Sequence, residues 1–257
     1  MTSTPRQPII LLTNDDGFDA PGLAALARAV DGLGTTVIVA PDRERSGAGH
    51  ALTLGRPLRV RETGDHAFKV DGTPTDCVHL GVFHLTGGIP PALVISGINR
   101  GLNVGDDVTY SGTVAGAMEG TLLRIPAIAV SVQYTDERPP DFHPAARFAR
   151  QLAERILRDG LPKGVFLNVN VPLGDLRGVR ATRQGTRSYR AAVLERLDPS
   201  GRPYFWIAGA DTTPAGESDG DHLAIAEGFI SVTPLHADLT HTPSLLAVSQ
   251  WKLEIPD

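Results

Sequence analysis

A single cysteine, Cys77, stands in 257 residues, which excludes an intramolecular disulfide and any zinc site built from several thiolates. Basic side chains are outnumbered, 24 Lys and Arg against 29 Asp and Glu, and the net charge of −5 offers no field for holding long nucleic acid. No apolar run approaches the roughly 18–20 residues that span a bilayer. The segment Met-Thr-Ser-Thr-Pro-Arg-Gln-Pro at the start has neither the basic nor the apolar part of a signal peptide. The expectation is a cytoplasmic protein with no membrane partner and no long nucleic-acid partner. Eight histidines occur without an H-x-H or H-E-x-x-H arrangement, so zinc hydrolase chemistry is unsupported. The Gly-Lys-Ser/Thr ending of a Walker loop and the G-x-G-x-x-G fingerprint are both missing. Asp15 and Asp16 are adjacent rather than spaced as D-x-D, which argues against an aspartyl-phosphate mechanism. An EF-hand over the same stretch fails, because no bidentate Glu stands at the twelfth position. There is no internal repeat and no low-complexity segment.

What is present is an alternation of strand and helix signals in a chain long enough to bury one large core. Hydrophobic residues make up 41% and charged residues 21%, as in an ordinary globular protein. Ile9 to Leu12 reads as a buried strand, and Leu23, Leu26, Ala27, Val30 and Leu33 recur at helical spacing behind Pro21. Thr36–Ala40, Leu93–Ser96, Ile125–Val132 and Val165–Val171 read as short strands. Val114–Leu123 and Pro144–Arg158 read as helices, the second with Phe148, Leu152, Ile156 and Leu157 along one side. A further helical stretch from about Thr75 holds Cys77 as a small core residue, with His79 and His84 in structural roles. This order predicts an α/β fold, a doubly wound and mostly parallel, Rossmann-like sheet. Right-handed crossovers would then collect the loops that follow the strands along one edge.

Past residue 172 Gly, Pro and polar residues become frequent. Arg180–Tyr189 and Ala191–Arg196 suit a hairpin, and Tyr204–Ala208 and Phe229–Thr233 suit further short strands. The rest of 197–221 reads as loop, and Leu245–Leu253 fits helix or strand. Residues 1–172 are expected to form an α/β core domain carrying the site. Residues 173–257 are expected to form a β-rich arm or subdomain for subunit contacts, part of it returning to the core.

The most informative stretch runs from Ile9 through Asn14, Asp15, Asp16 and Gly17. Adjacent carboxylates at the C-terminal end of a strand fall where open α/β sheets place their ligand crevice. Two like charges so close resist ionising together unless a cation relieves them, and Mg²⁺ or Mn²⁺ accepts carboxylate and carbonyl oxygens. The bland alternative is a helix cap or an Asx turn. Three more loops follow predicted strands. Pro41 to His50 joins charged side chains to Gly47 and Gly49, and could equally be a solvated turn. Ser96 to Asp107 is rich in Asn and Gly, which fits amides turned towards something polar or merely left-handed turn positions. Tyr110-Ser111-Gly112-Thr113 opens a helix whose N-terminal N–H groups attract phosphate, although capping alone would also explain it. Together, all four elements map to one predicted edge.

With these residues in order, the chain resembles the SurE survival proteins, metal-dependent nucleoside monophosphate phosphatases. The matching runs are Thr13–Gly17, Pro41-Asp42 with Ser46-Gly47, Ser96–Asn99 with Gly101 and Asn103, and Tyr110–Ala115. Ala226–Leu235, followed by Asp238 and Thr240, also matches, whereas 175–220 matches only loosely. The resemblance implies one divalent cation per subunit, Mg²⁺ or Mn²⁺, held by Asp15, Asp16, Ser46 and Asn99. It implies phosphate binding by Asn14, Ser111, Gly112 and Thr113, and catalytic roles for Asp15, Asp16 and Asn103. Asp15 is the favoured group to orient or deprotonate the attacking water, and His50 is a weaker candidate for protonating the leaving group. The implied reaction releases phosphate from 5′-nucleotides, with 3′-nucleotides and short polyphosphate as further candidates. The implied assembly is a homodimer or homotetramer. The rivals are a nucleotide-binding regulatory module without turnover, and a structural protein whose Asp and Gly residues are turn chemistry.

Overall fold

The computed structural model describes residues 7–186, 191–209 and 219–251. Ile9-Ile-Leu-Leu has no polar face, and it forms β1 (Ile9–Thr13), buried along its whole length inside the sheet. A strand covered on both sides is apolar throughout rather than alternating. α1 (Pro21–Val30) opens with Pro21 in its first turn and leads to β2 (Thr35–Pro41), parallel to β1. β3 (Val60–Gly64) and β4 (Ala67–Val70) extend that side as an antiparallel pair. α2 (Pro74–Leu80), started by a Thr73–Asp76 capping box, brings the chain back to β5 (Leu93–Arg100) on the opposite side of β1. From there α3 (Gly112–Leu122), β6 (Ala127–Val132), α4 (His143–Asp159) and β7 (Val165–Val171) continue outwards, each strand parallel to the one before. The chain thus leaves β1 in one direction through β2 and in the other through β5. The loops after β1 and β5 open at that reversal, where doubly wound sheets bind their ligands.

α1 and α4 pack on one face of the sheet, with Leu23, Leu26 and Val30 against Ala145, Ala149, Ala153 and Ile156. The other face is closed by α2 and α3, through Cys77, Val78, Val114 and Ala117. Phe148, Leu152 and Leu157, the larger side chains on α4, stay partly exposed at the margin of its buried stripe. Alanine at the contact lets the two helices approach more closely than leucine or phenylalanine would.

The sheet does not stop at β7. β11 (Phe229–His236) lies antiparallel to β7, and β8 (Gly178–Ala181) lies parallel beyond it. Among the described residues the sheet has nine strands, in the order β3-β4-β2-β1-β5-β6-β7-β11-β8. β9 (Ala191–Leu197) and β10 (Pro203–Gly209) form a separate antiparallel pair. Among the described residues the expected pairing of 180–189 with 191–196 does not occur. Arg180 and Ala181 belong to β8, which pairs with β11, while residues 187–190 lie outside the described residues. The turn chemistry explains the choice, because Asp198 Oδ1 accepts from the amides of Ser200 and Arg202 and Gly201 adopts φ +75°, which closes β9 onto β10. α5 (Asp221–Ala226) precedes β11, and α6 (Thr242–Ser249) makes the described start of the ambiguous 245–253 run helical. No helix among the described residues is long and apolar enough to cross a membrane.

Candidate active site

β1 ends at Thr13, and the next three residues turn sharply at the edge of the sheet. Asn14 is fully buried, and its Nδ2 donates to the Gly17 carbonyl at 2.9 Å, which fixes the turn. Asp15 is also buried, at 4% exposure. Its carboxylate accepts a short hydrogen bond from Thr113 Oγ1 at the start of α3. Gly112 stands so near that a Cβ there would meet Asp15 Cβ at 2.8 Å and Oδ2 at 2.9 Å, so only glycine allows this approach. Ser111 caps α3, its Oγ accepting from the Val114 amide at 3.0 Å. That bond uses a lone pair and leaves the hydroxyl hydrogen to donate elsewhere.

Both carboxylates are displaced upwards. Burial raises Asp15, against the opposing pull of the Thr113 hydroxyl and of the Thr113 and Gly112 amides. Asp16 is pushed up to about 6, chiefly by burial, with the charges of Asp15 and Glu44 adding to it and the Arg100 amide and guanidinium opposing. The Arg100 N–H donates to Asp16 Oδ2 at 3.2 Å. The positive end of α3 is thus addressed to Asp15, which takes up donors that would otherwise face a bound phosphate.

β5 is longer than the sequence pattern shows, running on through buried Ile98 to Arg100. Asn99 lies at its end and donates Nδ2 to the Gly101 carbonyl at 2.9 Å, so its Oδ1 is the group with lone pairs to offer. Ser46, exposed after β2, donates to Glu44 Oε1 at 2.8 Å. Asn103 is held from below: its amide N–H donates to Asn170 Oδ1 at 2.8 Å and its Nδ2 to Ser131 Oγ at 2.7 Å. Its carbonyl accepts from Asn168 and Asn170. The next turn is tied by Asp221 Oδ2, which accepts from the Gly105 amide at 2.8 Å.

Asp15, Ser46, Asn99, Asn103 and Ser111 line one cavity of about 900 Å³. Asn14, Gly112 and Thr113 stand behind it as supports for Asp15, and Asp16 is fastened to the Arg100 backbone. His50 is turned elsewhere, its Nε2 2.9 Å from Glu119 Oε2, while His79 Nδ1 meets the other oxygen of Glu119 at 3.1 Å. Sequence reasoning missed Arg100, the one basic side chain among the described residues of the lining, whose guanidinium lies 5.1 Å from the Tyr134 ring centroid. It also missed Asn168 and Asn170, whose i, i+2 placement in an otherwise apolar strand was the available signal.

Among the described residues no three His, Cys, Asp or Glu side chains come together as a metal site. The donors here are two carboxylates, a hydroxyl and an amide oxygen, and Asn14 Oδ1 is buried without a partner. Such a set fits a hard divalent cation that keeps water and substrate as its remaining ligands, and it fits no thiophilic metal.

Residues 10–191 match the family model described as "Survival protein SurE". The chain belongs to the SurE family. Similar SurE proteins include one from Syntrophotalea carbinolica named "5'-nucleotidase SurE", 52% identical over 251 residues and covering 95% of this chain and 98% of that protein. Another of the same name, from Geotalea uraniireducens, is 51% identical over 247 residues, covering 95% and 99%. The solved SurE structure from Aquifex aeolicus superposes with a TM-score of 0.84 at 43% identity, covering 95% of this chain and 99% of that one.

Proposed function

We propose that this SurE protein is a metal-dependent 5′-nucleotidase that hydrolyses nucleoside monophosphates to nucleoside and phosphate. The observation that carries the reading is the Asp15–Asp16 pair at the switch point, with buried Asp15 held against the start of α3. Asp15 lines the cavity, where its carboxylate is placed to meet a bound water. Asp15 orients a water and takes its proton, the water oxygen bonds to phosphorus, and the bond from phosphorus to the ester oxygen breaks. The nucleoside leaves with a proton drawn from solvent.

Asp15, Asp16, Ser46 and Asn99 would hold Mg²⁺ or Mn²⁺, which when bound supplies positive charge to the phosphoryl oxygens. The Ser111 hydroxyl and the second Nδ2 hydrogen of Asn103 donate to those oxygens, and Arg100 adds a cation at the lining. Thr113, Gly112 and Asn14 keep the acidic turn in place. The protein assembles as a homodimer or homotetramer through the exposed apolar side chains of the β9–β10 hairpin, among them Phe205 and Trp206.

Phosphate release from a panel of 5′- and 3′-nucleoside monophosphates and short polyphosphate, first in EDTA and then with Mg²⁺ or Mn²⁺ restored, tests this reading. Release that vanishes with chelator and returns with metal supports it. No release under either metal would leave a nucleotide-binding module without turnover.

A further inference from the structure

The cavity that holds Asp15 is not polar throughout. Leu102, Tyr110 and Ile207 also line it, and they come from three separate segments: the loop after β5, the turn before α3 and the β10 strand of the hairpin. Tyr110 is 65% exposed and Ile207 is 89% exposed. A phosphoryl group has no use for such surface. At about 900 Å³ the cavity also lies near the top of the roughly 300–1,000 Å³ range of small-molecule sites, far larger than one phosphate fills. The flat apolar part of a nucleoside monophosphate is its base.

We propose that Tyr110, flanked by Leu102 and by Ile207 from the hairpin, is the surface on which the substrate's nucleobase stacks. The inference rests on the nucleotidase reading and adds its specificity determinant. Tyr110 directly precedes Ser111, so the stacking surface and the phosphate-facing hydroxyl sit on adjacent residues. Stacking reads ring area rather than base edges, because every base has a π-face. Purine monophosphates are therefore preferred to pyrimidine ones, and both to ribose 5-phosphate, which has no base at all.

The experiment compares AMP with ribose 5-phosphate in the full-length wild type and in Tyr110→Ala, Tyr110→Phe and Ile207→Ala. One readout is the ratio of kcat/KM values with metal, and the other is the ratio of dissociation constants by calorimetry in chelator. The expected result is that Tyr110→Ala narrows the preference for AMP about tenfold in both ratios, Ile207→Ala narrows it about threefold, and Tyr110→Phe keeps it. An unchanged ratio in Tyr110→Ala overturns the inference, as does an equal loss on both ligands, which would assign Tyr110 to supporting the phosphate side. Equal losses in the Phe and Ala variants would move the effect to the hydroxyl and also overturn it. If the wild type releases phosphate from neither compound, the nucleotidase reading fails by itself, and the calorimetric ratio still decides whether Tyr110 holds the base.

Discussion

Of the two carboxylates after β1, Asp15 is the one the fold has withdrawn from water, and α3 has been brought up to it through a glycine that admits no side chain. An unrelieved charge in such a place costs stability, whereas the same charge facing a cation serves catalysis. Asp15→Asn keeps the shape and discards the charge. It should lower phosphate release by on the order of 10²–10³, as loss of one electrostatic group from a transition-state site does. In chelator the variant should nevertheless melt no lower than the wild type. Undiminished metal-dependent turnover in Asp15→Ala would sink the assignment. Glu119 shows the opposite balance. Burial raises it, but hydrogen bonds from His50 and His79 outweigh that and leave it below its ordinary 4.5. Glu119 therefore adds stability that is fully present above about pH 4.5 and is lost as pH falls through its lower folded value. Glu119→Gln should cost about 1–2 kcal/mol at neutral pH and flatten that acid limb in melts taken across it. A limb of unchanged steepness would show that the two histidine contacts contribute nothing.

At the scale of elements, what was legible in the sequence was whatever depends on near neighbours in the chain. The apolar runs of β1 and β7, the Pro21 start of α1 and the Ser111 cap of α3 each carry their signal within a few residues. The Asp15–Asp16 turn and the three loops that join it were visible for the same reason. The supports were not. Asn103 is positioned by Asn170, and Gly105 by Asp221, at separations of 67 and 116 residues. No local pattern reports such pairings. On α4 the local signal was partly misleading, since Phe148, Leu152 and Leu157 mark the margin of the contact, while Ile156 and the alanines are its buried residues. Ala149→Leu should therefore force α1 and α4 apart and cost about 1–3 kcal/mol. That is a fall of several degrees in melting temperature for a chain of this size, and a melt unchanged within error would show room at that contact.

For the whole molecule, a cation bound only by the folded state should raise its melting temperature. Mg²⁺ or Mn²⁺ at a hundredfold excess over its dissociation constant contributes about 2.7 kcal/mol, or roughly 5–10 °C here. Identical melts in EDTA and in either metal would count against the proposed ligand set. Assembly has its own test. Phe205→Ser with Trp206→Ser should lower the mass measured by light scattering while leaving the circular dichroism of the sheet intact. An unchanged mass would place the subunit contact elsewhere.

The position of β11 between β7 and β8 has a consequence in time as well as space. The 57 residues from Pro172 to Gly228 separate the end of β7 from the start of the strand that covers it. At synthesis rates of roughly 5–20 residues per second, that interval lasts about 3–11 seconds. The strands β1 to β7 can be complete on the ribosome while one border of β7 still displays unpaired backbone groups, a template for any other extended chain nearby. Each newly made copy passes through that period, and crowded translation of this message would be hazardous for as long as the border stays open.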